Sequence, residues 1–75
     1  MNLVEEIKAL RSEIISKESM SQIVREASKR AQYVAIDDLC ILALKYMICG
    51  NEQKAARCYI YALAAVKTVS CDSVS

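Results

Sequence analysis

Seventy-five residues with ten basic and nine acidic side chains, net +1, make at most one domain and offer no strong field for nucleic acid or an anionic membrane. Hydrophobic residues are 55% of the chain but aromatics only 5%, four tyrosines with no Phe or Trp, so the core must be aliphatic and rich in alanine. Histidine is absent, which removes the commonest general base and the commonest metal ligand together.

A chain this short buries only about 60% of the surface its unfolded form exposes, so its margin of stability is narrow. The opening MNLVEEIK carries two acids where a secretory leader would be positive. No uncharged run approaches the ~20 residues that span a bilayer, because Lys45, Lys54, Arg57 and Lys67 interrupt the apolar half. The expectation is a cytoplasmic protein without a membrane span, its four cysteines reduced and used as small core residues.

Asn2 followed by Glu5 resembles a capping box with Asn in place of Ser or Thr. Leu3, Ile7, Leu10 and Ile14 then recur at helical spacing, widened by Val4 and Ile15, and predict a first helix over about 3–16. The apolar period lapses at Ser16-Lys17-Glu18-Ser19, and Ser19 with Gln22 offers a second capping box. From there Met20, Ile23, Val24, Ala27, Ala31 and Val34 form the early stripe of a middle helix. Glu13 with Lys17 and Glu26 with Arg30 are favourable i,i+4 pairs on the outer faces.

Between Tyr33 and Leu39 there is no Gly, Pro or Ser to stop that helix, although Asp37 or Asp38 could cap a new one. Two readings stay open: one helix over about 20–49, bent near 35–38, or two helices broken there; the continuous one is preferred. Gly50 suits the left-handed position that ends a helix, Asn51 caps the next, and Glu52 complements its dipole. A third helix follows over about 52–69, with Ala55, Ala56, Tyr59, Ala62, Leu63, Val66 and Val69 inward and Lys54, Arg57, Tyr61, Ala64 and Thr68 outward. Residues 70–75 are expected to fray. The fold class is all-α, a three-helix up-down bundle forming one domain over 1–75.

The hairpin resembles a tetratricopeptide-repeat unit over about half of the chain. Leu39 and Leu42 take its large positions, Ala43 the small one, Tyr46 the aromatic and Gly50-Asn51 the turn, followed by Ala55, Tyr59 and Ala62; Lys67 stands near the family's usual proline. The same residues resemble the hairpin of MIT domains, three-helix modules that bind peptides from membrane-remodelling proteins. The Gly turn and Tyr61-Ala62 also resemble a small archaeal helical family of unknown function. These are packing positions, so the resemblance implies a fold and says little about activity. Shifting the sequence by 31 to 35 residues produces no second copy, which argues against a repeat array.

No chemistry-bearing constellation stands out. The cysteines at 40, 49, 58 and 71 contain no close pair of the kind that structural zinc sites use, so no metal or other cofactor is expected. Cys40 and Cys58 fall about one turn apart across the hairpin and fit two buried thiols better than a disulfide. Asp37 and Asp38 diverge by about 100° on a helix and cannot converge on one substrate atom. A modest basic stripe, Arg25, Lys29, Lys54, Arg57 and Lys67, is the alternative reading, a small nucleic-acid-associated protein, which the low net charge does not favour.

The most informative segment is LCILALKYMIC, residues 39–49, in which ten of eleven residues are apolar. A helix apolar nearly all round must be covered nearly all round. If Leu39, Leu42, Ala43 and Tyr46 face the last helix, then Cys40, Ile41, Leu44, Met47 and Ile48 are surplus. A turn before Ser19 would lay the first helix beside 20–34 and leave that stripe open, whereas a bend in the middle helix would fold the first helix over it. The sequence therefore predicts a non-enzymatic protein-interaction module, self-associating or docking a partner helix through this stripe.

Overall fold

The computed structural model describes residues 2–23, 25 and 27–72. It is an up-down-up bundle of three helices, α1 (Leu3–Ile23), α2 (Ala27–Ile48) and α3 (Glu52–Asp72), within extents of 39 × 20 × 19 Å. Among the described residues no helix is long and apolar enough to cross a membrane. The middle helix packs along its length against both neighbours, whereas α1 and α3 touch each other little.

Both predicted caps at the chain start and the hairpin turn are formed. The Glu5 amide donates to the Asn2 side-chain oxygen at 2.9 Å, and the Glu6 amide to the Asn2 carbonyl at 3.1 Å. At the other end of α2, the Asn51 amide donates to the Tyr46 carbonyl at 2.8 Å and the Gly50 amide to the Met47 carbonyl at 3.1 Å. That pair of bonds is a Schellman closure, with Gly50 at φ 82° supplying its left-handed residue. Asn51 then serves both helices, because its side chain also accepts from the Lys54 amide at 3.2 Å and so caps α3.

The first helix does not stop at residue 16. It continues through Ser19 to Ile23, so Ser19 is a mid-helix residue and not a cap. In the stretch that loses the apolar period Ser16 and Ser19 are exposed and Lys17 and Glu18 half-buried; Lys and Glu are good helix formers, and nothing there ends the backbone pattern. The turn lies instead between Ile23 and Ala27, where Arg25 adopts φ 60° and takes a left-handed conformation without glycine. Val24 and Glu26, and with them the Glu26–Arg30 pair, lie outside the described residues.

The middle helix runs unbroken through 35–38. Its buried residues are Tyr33, Ile36, Cys40 and Ala43, not the stripe phased on Met20 and Val24. Ala27 and Ala31 are exposed, and Val34 is 42% exposed. Met20 belongs to α1, where it is exposed. Leu42 is exposed as well, so it does not face α3. The last helix keeps its predicted inner face, with Ala55, Ala62, Val66 and Val69 buried and Tyr59 and Leu63 packed against the core. It extends to Asp72, past the predicted end.

The core joins Ile7, Leu10 and Ile14 of α1 to the four buried residues of α2 and to Ala62, Val66 and Val69 of α3. Ala43, Ala55 and Ala62 have no exposure at all, so small side chains line the α2–α3 seam and let the two backbones approach closely. The turn chemistry yields a paired prediction. No atom lies within 4 Å of a Cβ added at Gly50, so Gly50→Ala meets only the backbone penalty of a left-handed alanine, a loss of about 1 kcal/mol. Arg25→Gly should instead leave stability unchanged or raise it by up to about 1 kcal/mol. Urea unfolding followed by circular dichroism reads both changes.

Candidate functional site

Because α1 is longer than the apolar pattern implies, it runs antiparallel to the whole of α2. Its register is marked by an ion pair, Arg11 Nε to Asp37 Oδ1 at 2.9 Å, a part-buried bond. Asp37 is therefore a cross-helix partner, neither a cap nor a bend. The same register carries Val4 and Lys8 to the carboxy-terminal end of α2, where they line a groove of about 310 Å³ with Leu44, Met47 and Ile48.

Three of the five residues expected to form the partner surface thus meet in one groove. Leu44 and Met47 are half-buried and pack against the core. Ile48 is 86% exposed, the most exposed large hydrophobic side chain among the described residues. Ile41 is half-buried and lies one heptad before Ile48, on the same side of α2. Cys40 requires a correction: it is fully buried within the core and presents nothing to a partner. The reach of α1 is the reason, since a longer first helix covers part of the surface that a shorter one would have left open.

The open face extends beyond what the sequence singled out. On α2, Val34 precedes Ile41 by seven residues and continues the stripe. On α1, Val4, Lys8, Arg11 and Ile15 recur at four-three-four spacing, which sets them on one side of that helix. Ile15 is 45% exposed and stands at the level of Val34 in the antiparallel register. The face between α1 and α2 therefore has an apolar groove at one end, with Val4 and Ile48, the Arg11–Asp37 pair further along, and the exposed side chains of Ile15 and Val34 at the level of the other end. The four-three-four spacing of the α1 residues was visible in the sequence, but only the register shows that it flanks α2.

Other grooves lie among the described residues. Between α1 and α3, Glu6, Ala9, Leu10, Glu13, Tyr59 and Leu63 line one of about 310 Å³; burial and then the nearby Glu6 charge raise the Tyr59 pKa. Between α2 and α3, a shallow apolar groove of about 500 Å³ is lined by Ile36, Leu39, Ala65 and Val69 among others. Sequence reasoning missed both, because each depends on how the helices are rotated against one another.

The basic residues of the alternative reading are not gathered. Arg25 is exposed in the α1–α2 turn and Lys29 half-buried near it, while Lys54 and Arg57 follow the opposite turn and Lys67 lies more than two helical turns further along α3. Lys54 sits over the Tyr46 ring, 5.7 Å from its centroid, within cation–π range. Among the described residues no group of three or more Cys, Asp or Glu side chains is placed to hold a metal ion. Comparison with protein-family models, with curated proteins and with solved structures gives no match.

Cys40, Cys49 and Cys58 are free thiols, buried, exposed and half-buried in turn. Burial, reinforced by the Asp37 charge and opposed by Arg11, pushes the Cys40 thiol up from 9.0 to about 11. An acid whose pKa is higher folded than unfolded adds stability that is complete below the unfolded value and is lost as pH rises through the folded one. Unfolding free energy should therefore fall between pH 9 and 11 more steeply in the wild type than in Cys40→Ala, although that variant is less stable throughout. Thiol titration at pH 8 should modify Cys49 rapidly and Cys40 only on unfolding.

Proposed function

We propose that this chain is a small non-enzymatic protein-interaction module that self-associates through the open face between α1 and α2. The supporting observation is the placement of Ile48. An isoleucine almost fully in water, at the mouth of a groove made by Val4, Leu44 and Met47, closes an apolar stripe that runs back through Ile41 and Val34. Scattered surface apolar residues need no explanation, but apolar residues recurring at heptad spacing beside an apolar groove follow the pattern by which helices dock in grooves. The part-buried Arg11–Asp37 bridge at mid-face adds a polar reference point, the kind of feature that fixes alignment between helices.

In this role Leu44 and Met47 form the floor, Ile48 and Ile41 enter the partner, and Lys8 and Lys45 line the rim. A bound helix would complete a four-helix arrangement and cover the side of α2 that two neighbours leave open. The hairpin's resemblance to peptide-binding helical modules is compatible with this reading and supplies no separate support for it.

Ile48→Asp is the direct test, because the side chain makes little of the monomer core. Helicity and urea midpoint should stay within about 0.5 kcal/mol of wild type, while association measured by sedimentation equilibrium weakens at least tenfold. Ile60→Asp, at a position 60% exposed on α3 and outside this face, should leave association unchanged. Equal effects from the two variants, or a wild type that is strictly monomeric at tens of micromolar and binds no hydrophobic dye, would remove the proposal. A salt-dependent shift with generic RNA or DNA would favour the basic residues instead.

A further inference from the structure

The open side of α2 carries its own instructions for pairing. Ala27, Ala31, Val34, Asp38, Ile41, Lys45 and Ile48 are spaced four-three-four-three-four-three, the alternation that keeps residues on one seam of a helix. All seven are exposed or half-exposed. The seam is apolar except for one acid and one base, which fall three residues before and four residues after Ile41. A seam of that kind is complementary to itself when reversed.

We propose that the occupant of this face is a second copy of the chain, related by a two-fold axis beside Ile41, with the two α2 helices antiparallel. This rests on the self-association reading above and specifies its register. The axis sets Ile41 against Ile41 of the second copy and Val34 against its Ile48. Asp38 then stands within one residue, about 1.5 Å along the axis, of Lys45 of the second copy, and the symmetry makes that pair twice. A parallel arrangement would put Asp38 beside Asp38 and Lys45 beside Lys45, so charge selects the antiparallel one.

The flanking helix supports the same choice. The exposed Ile15 and Val34 of one copy then fall at the level of the Val4–Ile48 groove of the other, which brings the two apolar ends of the face together. The result is a four-helix bundle of two α1 and two α2 helices, with a C2 interface in which every contact occurs in duplicate. In each copy α3 stays outside it.

Charge exchange in the full-length chain tests the register. At about 50 mM salt, where exposed pairs are least screened, Lys45→Asp alone and Asp38→Lys alone should each weaken the homodimer about tenfold or more, because each variant sets like charges opposite one another twice. The double variant Asp38→Lys with Lys45→Asp should return to within about threefold of wild type. Mixing the two single variants should give a heterodimer tighter than either homodimer, since one copy then carries two acids and the other two bases on the seam. Circular dichroism of each variant checks that the fold is retained, as expected for exposed positions. A wild type that dimerises and loses association with Ile48→Asp, yet whose single charge variants associate as tightly as wild type or whose double variant is not restored, would overturn the antiparallel register and leave docking through the face intact. A wild type that remains monomeric would overturn both.

Discussion

A helix flanked by two others keeps one side open to water, and in this chain the helix so placed is the most apolar of the three. That constraint organises the rest of the molecule. Tyr33, Ile36, Cys40 and Ala43 exhaust the arc of α2 that α1 and α3 can cover, and what remains of its apolar content has to lie at the rim or outside. Leu39, Leu44 and Met47 occupy the rim, half-covered by neighbouring side chains. Val34, Leu42 and Ile48 lie outside it. No rotation of α2 would bury all of them at once, since residues on opposite sides of a helix cannot share one interface.

The two contacts of α2 are built differently. Against α3 the contact includes Ala43, Ala55 and Ala62, which have no exposure, and small residues let helices approach closely. Asn51 locks that hairpin by closing one helix and capping the next. Against α1 the core residues are Ile7, Leu10 and Ile14, larger side chains. Each contact leaves a groove at its edge, Val4 with Ile48 on the α1 side and Leu39 with Ala65 on the α3 side.

How much of this was legible in the sequence depended on the kind of signal. Helix ends with dedicated chemistry were readable: Asn2, Gly50 and Asn51 perform the predicted roles because each satisfies backbone groups that have no other partner. The α1–α2 boundary was not, because it has no such residue. Arg25 takes a left-handed conformation that nothing about arginine announces, and the lapse of apolar residues at 16–19 was mistaken for an end. That one displacement propagated. It misphased the early stripe of α2, shortened α1, and made Cys40 seem surplus when α1 in fact seals it. Leu44, Met47 and Ile48 do line one groove, and an excess of apolar area along 39–49 is a signal that does not depend on where a turn falls. Val4, Lys8 and Ile15 were invisible as partners of α2 until the Arg11–Asp37 bridge marked the register.

The exposed stripe also bears on why so small a chain folds at all. A domain of this size gains little beyond what chain entropy takes away, and each isoleucine left in water forgoes burial worth about 1.5–3 kcal/mol. Polar residues at 34, 41 and 48 would relieve an isolated bundle of that liability without touching its core. Their absence makes sense if burial is completed between molecules, where association adds to folding stability in proportion to how far concentration exceeds the dissociation constant. On that account Asp38 and Lys45 do more than keep the seam soluble. Two charges placed unequally about an otherwise apolar stripe restrict it to one orientation, which separates a defined dimer from indiscriminate hydrophobic contact.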